Sequence, residues 1–165
     1  LELVLPALRA CYVSHNIKLI LIGISDETYE DNFIECRAIP KEWQIYPFFV
    51  RWLKSQRMHF DFGIAPLAGG PINESKSMLK FLDYSALGIA GIFSKVGPYK
   101  EIRNYENGIV IKNTNENWRN ALTELIQDKG LRRKIAYNAV HHVKQNHLLE
   151  SNPYALYNLL NSMTS

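Results

Sequence analysis

Apolar positions along the chain alternate between two patterns. At Leu1, Leu5, Leu8 and Tyr12 they recur at helical spacing, which predicts a helix from Leu1 to about Ser14. Lys18 to Ile24 (KLILIGI) is a continuous apolar run ending at Gly23 and Asp26, the pattern of a strand buried on both faces. A shorter strand falls near Phe33 to Ile39, closed by Pro40. Helical spacing returns from Tyr46 to Met58 through Phe49, Val50, Leu53 and Arg57, with Pro47 in a first turn where its missing N–H costs nothing. Phe60 to Leu67 (FDFGIAPL) is the next strand, and Ala68 to Asn73 is a turn rich in Gly and Pro. Ser75 to Leu87 is a helix that stops at Gly88, and Ile89 to Ser94 (IAGIFS) is a short buried strand. After a turn at Gly97-Pro98, Gly108 to Lys112 is a small strand. Asn115 to Asp128 and Leu131 to about His147 are helices, and Asn152-Pro153 starts a last one to Met163.

Strands that are short apolar runs, alternating with helices, predict an α/β fold: a Rossmann-like open parallel sheet with helices on both faces. A length of 165 residues suits a single domain, 1–165. Its first residue is not Met and already lies in an apolar-periodic segment, so the chain reads as a piece of a longer protein, truncated at its N-terminal end. Leu1 to Leu8 lacks the basic region of a signal peptide, and no apolar run approaches the roughly 18 residues of a membrane span.

Charge and cysteine usage narrow the partners. The net charge is only +3 and the basic residues are spread from Arg9 to Lys144, which speaks against a nucleic-acid partner. Cys11 and Cys36 are too few for a disulfide framework, so both are expected as buried thiols in a reducing, cytoplasmic setting. His141, His142 and His147 lack the spacing of a metal set, and no metal site is expected. Trp43, Trp52 and Trp118 read as core or edge packing, and Arg132, Arg133 and Lys134 as a solvated face.

The segment that carries chemistry runs from Gly69 to Leu87. In an open α/β sheet, ligands bind beyond the carboxyl ends of the strands. Ala65-Pro66-Leu67 is such an end, and it feeds Gly69-Gly70-Pro71 and then the helix. Asn73 and Ser75 can each cap that helix, whose first-turn N–H groups form an anion site. Met78, Leu79, Leu82, Tyr84, Ser85 and Ala86 include the stripe for the sheet, while Lys76, Lys80 and Asp83 share the opposite one. A cation at Lys76, in a first turn, is disfavoured by about 0.3–1 kcal/mol unless an anion such as a diphosphate lies beside it. Asp83 offers two acceptor oxygens to the vicinal hydroxyls of a ribose. The same residues also read as a solvated surface pair, Lys80 with Asp83, and a lysine pointing to water.

The stretch DFGIAPLAGGPINESKSMLKFLDYSALGIAGIFSKVGPYKE resembles the C-terminal domain of retaining glycosyltransferases of the GT-B fold, family 4 type. The matching positions are Asn73, Lys76, Ser77, Lys80, Asp83, Tyr84, Ala86 and Gly88. Asn107-Gly108-Ile109-Val110, Asn117-Trp118, Leu125-Ile126 and Leu131-Arg132 extend the resemblance loosely over the rest of the chain. In that family an acidic residue eight positions before the one matched by Asp83 lies near the sugar ring; Ser75 stands there, with Glu74 adjacent. Ala90 stands where the family commonly has Pro.

The resemblance implies binding of a nucleotide-diphosphate sugar for transfer to an acceptor hydroxyl, with retention of configuration and no metal or other cofactor. Lys76, Lys80 and Glu74 are then the candidate catalytic residues, and Gly69, Gly70, Ser75, Ser77, Met78, Leu79 and Asp83 the donor-binding ones. A saccharide or lipid-linked acceptor, and any contact with the inner face of a membrane, belongs to an N-terminal domain outside this chain, as in polysaccharide assembly. The fragment alone is expected to be inactive. Glu101, after another strand end, reads as a cap of a short helix or as a border of the acceptor cleft. A non-catalytic nucleotide or nucleotide-sugar-binding module is the alternative, motivated by Ser75. A flavodoxin-like or receiver-like signalling domain finds too little in Ser25-Asp26-Glu27.

Overall fold

A computed structural model describes residues 1–23, 29–74 and 76–146, without the side chains of Pro47, Ile72 and Glu74. His147 and the helix expected from Asn152 to Met163 lie outside the described residues. The chain runs α1 (Leu5–His15), β1 (Leu19–Ile22), β2 (Ile34–Arg37), α2 (Tyr46–Ser55), β3 (Phe62–Ala65), α3 (Pro71–Glu74), α4 (Leu79–Leu87), β4 (Ala90–Ser94), β5 (Ile109–Ile111), α5 (Asn115–Gln127) and α6 (Lys129–Asn146). All strand pairs are parallel, as the alternation of elements requires. They form two sheets rather than one, β1-β2 and β3-β4-β5.

The burial of each strand follows its place. Central β4 is buried at all five positions, the continuous apolar pattern of a strand covered on both faces. In β1 only Leu19 is buried, so the two-faced burial expected of KLILIGI is not met, because this strand pairs only with β2 among the described residues. One core nevertheless spans the two sheets. Leu19, Leu21 and Ile34 join Phe62, Ile64, Ile92 and Ile109 beneath Ala7, Leu8 and Cys11 of α1 and Trp118, Leu122 and Leu125 of α5. Phe93, which alternates with Ile92 on β4, points the other way, into a cluster with Ala65, Phe81, Tyr99, Ile102 and Ala139. Helices therefore cover both faces, α1 and α5 on one and α4 and α6 on the other.

Local signals set most boundaries. Pro6 occupies the first turn of α1, so the helix starts at Leu5 while Leu1 to Val4 form a turn. Thr114 caps α5, its hydroxyl accepting from the Asn117 amide at 3.2 Å. Gly88 closes α4 in the left-handed region at φ 64°, where a side chain would be strained. Cys11 is buried, but Cys36 is exposed, contrary to the expectation of two buried thiols, because it lies on the poorly covered β2. Trp118 is fully buried, and its indole N–H donates to Asn113 Oδ1 at 3.3 Å.

The seating of α4 on the sheet depends on a pair of glycines. Gly63 of β3 and Gly91 of β4 are register partners, and the gap they leave holds the ring of Tyr84. A Cβ on Gly63 would meet that ring at 2.6 Å, and one on Gly91 would meet it at 2.9 Å. The Tyr84 hydroxyl donates to the Ile64 carbonyl, and burial raises its pKa far enough to keep it a phenol. Gly63→Ala is therefore expected to lower stability by about 1–3 kcal/mol through overpacking, read as a lower denaturant midpoint. An unchanged midpoint would show that α4 can lift from the sheet without cost.

Candidate functional site

Parallel strands put their carboxyl ends together, and each following helix starts there. That end carries Leu67 after β3, Lys95 after β4 and Asn113 after β5. Two side chains tie these loops. Ser94, fully buried, accepts from the Leu67 amide at 2.8 Å and donates to Asn113 Oδ1 at 2.7 Å. Asn113 Nδ2 returns a bond to the Leu67 carbonyl at 2.8 Å. This staple fixes where the glycine loop departs from the sheet. Sequence reading missed both residues; a Ser ending an otherwise apolar strand was the only signal.

Beyond the staple, Gly69 is exposed and Gly70 adopts φ 127°, a conformation that favours glycine, just before Pro71. Gly70-Pro71 starts α3, which packs against the short helical turn Gly97–Tyr99 beyond β4. The helix expected to begin at Ser75 therefore begins at Leu79, after a separate short helix and a non-helical link. Lys76 and Ser77 are exposed in that link, so neither is in a first helical turn. Asn73 is in α3 and does not cap α4, whose N-cap is Met78, without a side-chain cap bond. Met78 packs toward Phe81, Phe93 and Tyr99, which draws the chain inward at this point. Ser75 and the Glu74 side chain lie outside the described residues.

Lys80, not Lys76, is thus the first-turn cation of the helix. The buried positions of α4 are Phe81, Asp83, Ser85 and Leu87; Leu79 and Ala86, expected in the buried stripe, are exposed. Glu101 follows the turn Gly97–Tyr99 on its C-terminal side and is exposed, so it is not that turn's N-terminal cap.

Asp83 is not a solvated surface residue, because only 3% of it is exposed. Tyr46, opening α2, donates its hydroxyl to Asp83 Oδ1 at 3.2 Å, and Lys80 Nζ stands 3.7 Å from Oδ2. Burial raises the Asp83 pKa, while the Lys80 charge and the Tyr46 and Lys80 hydrogen bonds pull it down by less. Tyr46 is pushed up to about 12, by burial first and then by the Asp83 charge and hydrogen bond, so it remains a donor. The carboxylate keeps lone pairs for further hydroxyl donors, and Lys80, about half exposed, offers a cation beside them. Tyr46 was missed because it lies 37 residues from Asp83 in the chain.

Two cavities lie away from this cluster. One of about 490 Å³, beyond β4, includes Lys95, Gly97, Tyr99 and Lys100 in its lining. The other, of about 160 Å³, opens at the amino ends of β3 and β4. No group of His, Cys, Asp and Glu that could hold a metal ion occurs among the described residues, and no described helix is long and apolar enough to cross a membrane.

No protein-family model and no curated protein matches the chain. Among solved structures, it is similar to Anabaena HepE in complex with UDP and glucose, with a TM-score of 0.71 at 15% sequence identity. The match covers 98% of this chain and 44% of that one, so this chain spans less than half of the length of HepE. The likeness shows a shared Rossmann-like α/β fold over nearly the whole chain.

Two outcomes test the site's energetics. Asp83 binds its proton more readily folded than unfolded, so its contribution to stability is present below its ordinary pKa of 3.8 and is lost as pH rises through the folded value. Asp83→Asn, which keeps an acceptor for Tyr46, is expected to melt higher than wild type at pH 7, with the gap closing toward pH 4. Asn113→Ala leaves the Ser94 hydroxyl, the Leu67 carbonyl and the Trp118 N–H short of partners, and is expected to cost about 1–3 kcal/mol in chemical denaturation.

Proposed function

We propose that the chain is the donor-binding half of a glycosyltransferase, taking a nucleotide-diphosphate sugar at the carboxyl ends of its strands. The observation that carries this reading is Asp83, a carboxylate kept buried at a cost to stability beside a hydroxyl and a lysine. Such perturbed groups concentrate at functional sites. The fold shared with HepE, which binds UDP and glucose, supports the ligand class.

In this reading Asp83 accepts the ribose hydroxyls. Lys80, with the open amide groups at the start of α4, stabilises the leaving diphosphate, and such electrostatic stabilisation is commonly the largest catalytic term. Lys76 and Ser77, exposed on the link before α4, reach the diphosphate from the other side, with Gly69, Gly70, Met78 and Leu79 supplying backbone. Glu74 or Ser75 holds the place nearest the sugar. Transfer retains configuration, needs no metal, and requires an acceptor domain outside this chain.

Nucleotide titration tests the reading. UDP or GDP is expected to bind wild type, and Asp83→Ala to weaken it roughly ten- to a hundredfold, the worth of hydrogen bonds to a charged group. Thermal melts establish that the variant is folded. Equal affinity in both proteins for both nucleotides would remove Asp83 from the site. A second reading keeps the binding and drops the transfer, favoured by Ser75 at the position of the first family carboxylate. Donor hydrolysis or transfer by the longer protein decides between them.

A further inference from the structure

The smaller cavity lies at the opposite end of the sheet from the proposed donor site. It is framed by Phe60 and Asp61, which precede β3, and by Gly88, Ile89 and Ala90, where β4 begins. Four cations line it, Arg57, Lys129, Arg132 and Arg133, against the single carboxylate of Asp61. The lining is therefore three positive, equal to the formal net charge of the whole chain, so all other charges cancel.

Two of the four cations have a structural use. Arg57 donates to the Phe60 carbonyl at 2.9 Å and to the Gly88 carbonyl, past the end of α4, at 3.1 Å. Arg132 donates to the Leu125 carbonyl and, at 3.0 Å, to that of Ile126 in the last turn of α5, with Asp61 at 3.6 Å. The two helix ends carry roughly half a negative charge each. They and Asp61, whose side chain is 80% exposed, leave about two positive charges unanswered. At the amino end of α6 the half positive charge of the helix is outweighed by Asp128, whose Oδ1 accepts from the Leu131 amide, which brings the surplus to about one and a half charges. The side chains of Lys129 and Arg133 make no hydrogen bond or ion pair among the described residues, and both residues are exposed.

We infer that this cavity is a second anion site, built for one phosphoryl dianion. Arg57 and Arg132, held by backbone carbonyls, keep spare N–H donors in fixed directions, so little side-chain entropy remains to be lost on binding. Lys129 and Arg133 close over the anion from the rim. The phosphoryl group belongs either to a free phosphorylated solute or to a phospholipid headgroup. The site is independent of the nucleotide reading, since its residues share nothing with Lys80 or Asp83.

The test is titration of the 165-residue chain with inorganic phosphate at constant ionic strength, followed by amide chemical shifts. Saturable binding is expected in wild type, with shifts at Gly88, Lys129 and Gly130. The double variant Lys129→Gln/Arg133→Gln is expected to bind roughly tenfold more weakly or worse. Both replaced side chains are exposed and without a partner among the described residues, so the variant should fold, which its melting temperature checks. Lys80→Ala, at the other end of the sheet, is expected to leave the phosphate-dependent shifts at Gly88, Lys129 and Gly130 as in wild type, whatever it does to phosphate bound at the donor site. Sedimentation with vesicles containing phosphatidic acid, whose headgroup is a phosphomonoester, distinguishes the sources: capture of wild type but not the double variant assigns a headgroup, and phosphate binding without capture assigns a soluble ligand. Two results overturn the proposal: phosphate binding equal in wild type and double variant, or no saturable binding together with equal vesicle capture.

Discussion

The contact on which the proposed site depends is the ring of Tyr84 lying in the slot between Gly63 and Gly91. A side chain at Gly63 would hold α4 away from β3, and one at Gly91 would crowd Phe93 of its own strand as well as the Tyr84 ring. With the slot empty of Cβ atoms, the helix settles deep enough for Phe81 to reach Phe93 edge-on and for Asp83, two residues further along, to lose its water. The burial of a carboxylate thus follows from the absence of two methyl groups on neighbouring strands. It is a packing consequence before it is an electrostatic one.

Once Asp83 is dry, its surroundings must partly replace water, and they do so incompletely. One phenol and one half-exposed ammonium face it, and burial still prevails over both in setting the direction of its pKa. An apolar residue there is often no less stable than a buried carboxylate; Phe81 and Leu87 fill buried positions of this helix, and the buried Ser85 is satisfied by the Phe81 carbonyl. Retaining the acid makes sense when a ligand completes its hydrogen bonding. The staple of Ser94 and Asn113 serves the same end from the sheet, because it fixes the point at which the Gly69-Gly70 loop must turn.

What the sequence made legible follows from the range of the interactions involved. Strand and helix order, the parallel sense and the Gly88 stop are local or periodic signals, and they match the structure closely. The start of α4 did not, although Lys76 and Lys80 both fit a helical stripe. Gly70-Pro71 nucleates its own short turn, and the burial of Met78 then resets the chain before the longer helix begins. The residues that most define the candidate site, Tyr46 and Asn113, reach Asp83 and Leu67 across 37 and 46 positions. No spacing rule covers such distances. The exposure of Cys36 and the division of the strands into two sheets were hidden for the same reason, since both depend on what covers β1 and β2.

The two ends of the sheet also differ in how their charges are held. At the carboxyl ends, Lys80 is paired with Asp83, and a ligand entering there would have to exchange an existing interaction for its own. At the amino ends, the side chains of Lys129 and Arg133 have no ion-pair partner among the described residues, beside two arginines already fixed by carbonyls. The first arrangement favours discrimination, because a ligand lacking the right hydroxyls leaves Asp83 underpaired. The second favours simple attraction of a dianion, weakened by salt and indifferent to what the phosphoryl group is attached to. Under the two proposals, such a division suits a domain that recognises one ligand by its pattern of hydroxyls and holds another by charge and by the spare N–H donors of two fixed arginines.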